Sequence, residues 1–213
     1  MDVLEEIRTG IIETMPTQAK AATEKALGMG YDAKQILNEA LIPAMDVVGK
    51  LFKEGEYFVP EVLVAAKAMQ ASMDLIEPLL IGSGVKKLGK AVTGTIEGDL
   101  HDIGKNLVGM MLKGAGFDVI DLGVDVTAER FVEAVKKEKP DFVMISALLT
   151  STMVNMPKVI NALKKEGLRD KVKVLIGGAP VSQNYADEIG ADGYAEDSSA
   201  AVELVRQLIK EGV

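Results

Sequence analysis

The chain has 213 residues, of which 48% are hydrophobic and 26% charged, with a formal net charge of −8; that is room for one large soluble domain or two small ones. The acidic balance excludes the clustered Lys/Arg surface that nucleic-acid phosphates require, and the absence of cysteine excludes disulfides, thiolate nucleophiles and iron–sulfur ligation. No apolar run approaches the roughly 20 residues needed to span a bilayer, and Met1-Asp2-Val3-Leu4-Glu5-Glu6 is acidic where a signal peptide would be basic, so a cytoplasmic protein is expected.

Residues 1–82 read as helices only. Val3, Leu4, Ile7, Ile11, Ile12 and Met15 recur at helical spacing, and Pro16-Thr17 closes that helix and opens the next. Gly28 and Gly30 end the second helix. Asp32, with Gln35 three residues on, suits a capping box for a third. This third helix carries Ile36, Leu37, Leu41, Met45, Val48 and Phe52, with a kink or break expected at Pro43. Pro60 fits the first turn of a fourth, which would bury Val62, Leu63, Ala66, Met69, Met73 and Ile76. Four short helices in succession imply a bundle. The methionines suit flexible core filling.

Residues 83–90 are glycine-rich and basic and read as a linker. From residue 91 to 213 the period changes. Short β-branched runs at Ala91–Ile96, Asp118–Asp121, Phe142–Ile145, Val172–Ile176 and Asp192–Ala195 alternate with helical segments near 103–114, 127–138, 153–166, 181–189 and 198–211. Five βα units predict a parallel sheet covered on both faces, of the Rossmann or flavodoxin-like α/β class. In a flavodoxin-like order the ligand crevice lies between the first and third strands, so the loops after Ile96 and Ile145 should line it.

The first of those loops reads Glu97-Gly98-Asp99-Leu100-His101-Asp102-Ile103-Gly104-Lys105-Asn106 and holds the only histidine. An ordinary zinc site takes several His or Cys ligands, which this chain does not have, whereas a carboxylate site for a hard cation stays open. A metal that arrives inside a macrocycle needs one protein ligand, and a lone histidine can be it. Metal-bound histidines usually give the other ring N–H to a carboxylate, and Asp99 stands two residues before His101. Gly98 and Gly104-Lys105 do not form a phosphate loop: five residues separate the glycines instead of four, and Asn106 replaces the Ser/Thr.

Asp99-x-His101-x-x-Gly104, then 41 residues, Ser146-x-Leu148, then 28 residues, Gly177-Gly178 resembles the cobalamin-binding signature of methionine synthase and its relatives. The segment Leu51-Phe52-Lys53-Glu54-Gly55-Glu56-Tyr57-Phe58-Val59-Pro60 is similar to the helical cap of that family. The compact two-part form is similar to the free-standing corrinoid proteins of methanol-, methylamine- and aryl methyl ether-dependent methyl transfer. The resemblance implies a helical cap joined to a cobalamin-binding α/β domain, with the cofactor base-off and His101 on the cobalt. It implies that Asp99 hydrogen-bonds His101 and that Thr152 supplies the hydroxyl beyond, where methionine synthase has serine. Asp102, Ile103, Gly104, Leu148 and Thr150 would then be among the cofactor-binding residues. Ser146 is expected near the tail base, and Gly177 and Gly178 where the buried nucleotide passes. Phe52 and Val59 would cover the upper face of the corrin, although both also suit plain bundle core.

The implied role is a corrinoid methyl carrier. Its partners would be a substrate-specific methyltransferase, an acceptor methyltransferase serving a thiol or a tetrahydropterin, and a reductive activator protein. Two other uses of the same histidine motif stay open: a cobalamin-binding subunit of a B12-dependent isomerase, and a cobalamin-sensing regulator. A plain receiver-like domain would lack both the helical half and the three motifs.

Overall fold

A computed structural model describes residues 2–83 and 87–212. At Lys87 and Leu88 the chain passes from a helical unit to an α/β unit. The linker expected over residues 83–90 falls here. Residues 84–86 lie outside the described residues, Ser83 ends the last helix of the first unit, and Lys90 opens the first strand of the second.

The helical unit contains α1 (Val3–Ile12), α2 (Pro16–Gly28), α3 (Ala33–Ile36), α4 (Ile42–Lys53) and α5 (Val59–Ser83). The third of the four expected helices is thus divided. A π turn over Leu37–Leu41 separates α3 from α4. Pro43 explains it: proline has no N–H for the carbonyl four residues back, its ring crowds that carbonyl, and a widened turn relieves both. Asp32 caps α3 by accepting the Gln35 N–H at 2.7 Å, while the Gln35 amide turns to Glu39 at 3.4 Å, so the expected capping box is half made. Met15, expected on the apolar stripe of α1, lies beyond that helix, caps α2 and is exposed.

Ile7, Ile11, Ile36, Leu41, Met45 and Ile76 form the fully buried centre of this unit. Close approach of α1 and α2 requires Gly10, where a Cβ would stand 2.7 Å from the Ala19 nitrogen. Within the apolar packing, the Thr23 hydroxyl lies 2.8 Å from the Ala19 carbonyl and 3.0 Å from the Ser72 hydroxyl of α5.

The α/β unit runs β1 (Lys90–Thr95), α6 (Ile103–Gly114), β2 (Asp118–Asp121), α7 (Ala128–Glu138), β3 (Phe142–Ser146), α8 (Thr150–Met153), α9 (Met156–Lys165), β4 (Lys173–Gly177), α10 (Gln183–Ile189), β5 (Gly193–Ala195) and α11 (Ser198–Lys210). All strand pairs are parallel, in the order β2-β1-β3-β4-β5. The expected α/β class and the reversal between β1 and β3 are what the chain forms.

Val92, Val143, Val174 and Ile176 bury one face of the sheet with Phe131, Val135, Val159, Ile160 and Leu163 from α7 and α9. On the other face Phe117 meets Phe142 edge-on, with ring centres 6.4 Å apart, and a Cβ on Gly193 would stand 2.9 Å from Leu204 of α11. The helix expected over 153–166 is α9, which starts at Met156 with Pro157 in its first turn, where a missing N–H costs no helical bond. The short turn α8 precedes it and is an addition to the expected elements. It matters for function, because it carries Thr152, whose hydroxyl bonds Asp99 of the histidine loop.

Candidate functional site

The site grows from three parallel strands that end together. Thr95 of β1 is opposite Ser146 of β3, and Ser146 is opposite Gly177 of β4. The loops after these strands therefore leave the same edge of the sheet, the edge where parallel α/β sheets bind ligands.

The loop after β1 turns at Gly98, with φ +84°, and directs Asp99 inward. Asp99 is fully buried, whereas the side chain of His101 is 53% exposed. Asp99 Oδ1 accepts the His101 backbone N–H at 3.0 Å and lies 2.7 Å from His101 Nδ1. Asp99 Oδ2 accepts the N–H groups of Leu148 and Leu149 at 2.8 and 3.3 Å and the Thr152 hydroxyl at 2.7 Å. Burial raises the pKa of this carboxyl, but the hydrogen bonds from Thr152, the Leu148 N–H and His101 outweigh it, so the group sits well below the usual carboxylate range.

An ionised Asp99 needs a donor at His101 Nδ1, which assigns the ring proton there and leaves the Nε2 lone pair free. The backbone that carries the imidazole is also tied: the Thr95 hydroxyl donates to the His101 carbonyl at 3.0 Å. A buried carboxylate thus holds an exposed imidazole in one tautomer, the arrangement a metal-ligating histidine requires.

The surroundings suit a large, partly apolar ligand. Leu100, Leu148, Leu149 and Val154 on the loops and turns after β1 and β3, and Ile103 at the start of α6, present large exposed hydrophobic side chains. A Cβ on Gly104 would stand in open space, so the protein's own packing does not demand a glycine there. Among the described residues no group of three or more His, Cys, Asp or Glu side chains could hold a bare metal ion. The donor set therefore fits a metal already held in a macrocycle, with a single axial position to fill.

The other expected residues fall as follows. Ser146 ends β3 half-buried, and Thr150 begins α8 exposed to solvent. Asp102 accepts the Asn106 amide at 2.9 Å and so braces the start of α6. Gly177 ends β4 and Gly178 follows it, at φ +118°. Phe52 in α4 and Val59 at the start of α5 are half-buried parts of the helical unit. Sequence reasoning missed Thr95, whose hydroxyl looks like ordinary strand content. It also missed Asp125, whose backbone N–H donates to the Asp99 carbonyl at 3.0 Å and whose carboxylate accepts the Gly98 N–H at 2.7 Å.

A B12-binding domain family model matches residues 89–203, and a second B12-binding domain model matches residues 3–77. The chain belongs to the B12-binding family. Cobalamin is the cofactor of this B12-binding protein, as the motif resemblance implied. The B12-binding chain is 42% identical over 212 residues to a corrinoid protein of Desulfitobacterium hafniense, covering 98% of each. It is 44% identical over 209 residues to dimethylamine corrinoid protein 1 of Methanosarcina acetivorans, again covering 98% of each. Among solved structures it is similar to the methanol:cobalamin methyltransferase complex of Methanosarcina barkeri, with a TM-score of 0.89, 32% identity, and coverage of 100% of this chain and 81% of that one. No helix of the described residues is long and apolar enough to cross a membrane.

Asp99→Asn is expected to destabilise the cobalamin-free protein by about 1.5–3 kcal/mol at neutral pH. The amide has one acceptor oxygen where the carboxylate uses two, and its NH2 would face donors. The sign with pH follows from the lowered Asp99 pKa. The carboxylate's contribution is complete above the unfolded value near 3.9 and is lost as the pH falls toward the lower folded value. The gap between wild type and Asp99→Asn in urea denaturation should therefore be widest at neutral pH and narrow below about pH 4. A gap independent of pH would rule out the ionised, donor-enclosed Asp99.

Proposed function

We propose that this chain is a corrinoid methyl carrier. In this reading it holds cobalamin with the dimethylbenzimidazole tail off the cobalt and His101 Nε2 in its place. It carries a methyl group, in the cytoplasm, between a substrate:corrinoid methyltransferase and an acceptor methyltransferase that serves a thiol or a tetrahydropterin. The observation that carries the reading is the exposed His101 ring, locked through Nδ1 by a buried, ionised Asp99. When bound, cobalamin supplies a cobalt centre able to take up and give up a methyl group.

The chain's residues act on that centre through the imidazole. Asp99 Oδ1 lies against His101 Nδ1 and Asp99 Oδ2 accepts the Thr152 hydroxyl, so the Thr152–Asp99–His101 chain would keep or redistribute a proton behind an imidazole that ligates through Nε2. Ser146, Leu148, Thr150, Gly177 and Gly178 would border the tail, and Asp102, Ile103 and Gly104 the corrin rim. Phe52 and Val59 would shield the upper face. A reductive activator protein is the third partner, needed whenever the cobalt is oxidised.

The match of whole chain lengths with named corrinoid proteins supports this reading, as does the B12-binding model over residues 3–77. An isomerase subunit gives no comparable account of the helical unit. The test uses cobalamin-loaded, reduced protein and isotopically labelled methyl iodide as a chemical methyl donor. The label should co-elute with the protein and pass to a thiol only after a corrinoid:thiol methyltransferase is added. Label that never joins the protein, or that no supplied methyltransferase can remove, would sink the carrier role.

A further inference from the structure

The loop after β2 runs beside the histidine loop, and the pairing of the two continues past their strands. Leu122 N–H donates to the Thr93 carbonyl at 2.8 Å, Thr95 N–H to Gly123 at 3.0 Å and Val126 N–H to Thr95 at 2.9 Å, and Ile96 bridges Val126. At the end of this ladder stands Asp125, an exposed residue at φ +52°. A non-glycine residue in that region is uncommon and has to be held there by its surroundings, though aspartate tolerates it better than most. Asp125 makes two bonds of opposite sense to consecutive residues: its N–H donates to the Asp99 carbonyl at 3.0 Å, and its Oδ1 accepts the Gly98 N–H at 2.7 Å. Together they fix the approach to His101.

The exit from the same loop is fixed by the other end of the β2 segment. Lys105, the third residue of α6, has a side chain only 3% exposed. A cation in the first turn of a helix opposes the helix dipole, and a buried ammonium is costly unless paired. Its Nζ lies 2.5 Å from Asp121 Oδ2 and 2.6 Å from Asn106 Oδ1, while Asp121 Oδ1 accepts the Gly123 N–H at 2.9 Å. Asn106 in turn donates to Asp102 at 2.9 Å, next to His101.

We propose that the segment Asp121–Asp125 is a buttress that sets the position of the His101 imidazole, with Asp125 fixing the entry to its loop and the Lys105–Asp121 pair fixing the exit. These are positioning residues, acting through the backbone of the histidine loop. The proposal rests on His101 being the axial ligand.

The test uses the full-length, cobalamin-loaded protein in its cobalt(II) form, and measures the ratio of imidazole-bound to imidazole-free cobalt by electron paramagnetic resonance. Asp125→Gly keeps the backbone conformation and removes only the carboxylate, so it should fold and lower that ratio about threefold to tenfold. Asp125→Asn keeps both an acceptor and tolerance of positive φ, and should return the ratio to within about twofold of wild type. Lys105→Met preserves the buried stem and leaves Asp121 to solvent, where its side chain is already 47% exposed; it should lower the ratio like Asp125→Gly. In the cobalamin-free protein, the Gly98 amide should exchange faster in Asp125→Gly, a change that does not depend on the cofactor.

A wild-type ratio in Asp125→Gly or in Lys105→Met overturns that residue's role, and a loss in Asp125→Asn equal to that in Asp125→Gly overturns the acceptor argument. His101→Ala, run alongside, separates the two ideas. With histidine carrying the heavy nitrogen isotope, a wild-type splitting that the isotope does not alter means the ligand assignment has failed; an isotope-sensitive splitting that is lost in His101→Ala but unchanged in Asp125→Gly and Lys105→Met means only the buttress has.

Discussion

His101→Ala is expected to give a folded protein whose cobalt(II) cobalamin has no protein nitrogen on its lower face. In wild type, electron paramagnetic resonance should show superhyperfine splitting from one axial nitrogen. A triplet that becomes a doublet when histidine carries the heavy nitrogen isotope would place that nitrogen in the protein and not in the dimethylbenzimidazole. In His101→Ala the isotope-sensitive pattern should vanish completely, because the chain has no second histidine. Folding should be nearly unaffected, within about 0.5 kcal/mol, since exposed side chains contribute little and this one is 53% exposed. Asp99 would keep the donors that stabilise its charge: the N–H groups of Leu148 and Leu149, the Thr152 hydroxyl and the N–H of residue 101. A wild-type splitting that does not change when histidine carries the heavy isotope, or the absence of any axial nitrogen splitting in wild type, would contradict axial ligation.

The sheet was legible because its strands are short, apolar and punctuated, and because parallel strands buried on both faces need little more than that. Strand ends were displaced by a residue or so: the polar Lys90 still pairs at the start of β1, and Gly177 still pairs at the end of β4. The π turn and the short α8 were harder to see. Pro43 stands in otherwise good helical pattern, and a proline says that something must yield without saying whether it will be a kink, a π turn or a full break. In the site, His101 and Asp99 were legible because a lone histidine close to a carboxylate is a compact chemical pattern. The backbone donors of Leu148 and Leu149 were not, because a backbone N–H has no letter in a sequence. Asp125 was hidden for a different reason: its role depends on a left-handed backbone and on two loops lying side by side, and both are properties of the tertiary structure.

Gly178→Ala is expected to be the most damaging single methyl addition in the α/β unit, lowering stability by about 3 kcal/mol or more. Two independent costs combine. At φ +118° the backbone occupies a region that side chains rarely tolerate, and a Cβ there would stand 1.8 Å from the Ala147 carbonyl oxygen. A flexible side chain could swing aside, but this obstacle is backbone, and its neighbours are tied. Ile96 N–H donates to the Ser146 carbonyl at 2.9 Å, Ala147 N–H to Gly177 at 3.2 Å, and Leu148 N–H to Asp99 Oδ2 at 2.8 Å. Moving Ala147 to admit a methyl group would therefore pull the Leu148 donor away from Asp99 and loosen the imidazole that Asp99 holds. The close passage of two loops is thus a reason for glycine at 178 that is separate from any room a nucleotide tail requires. Gly177→Ala is the control: its Cβ would meet the Ala195 carbonyl at 3.0 Å without a left-handed φ, so its cost should be clearly smaller. Urea denaturation of both variants in cobalamin-free protein measures the two costs, and amide exchange at Leu148 follows the transmitted strain. If Gly178→Ala lies within about 0.5 kcal/mol of wild type, or if Leu148 keeps its protection while stability falls, then the glycine turn and the Asp99 site are not coupled through Ala147.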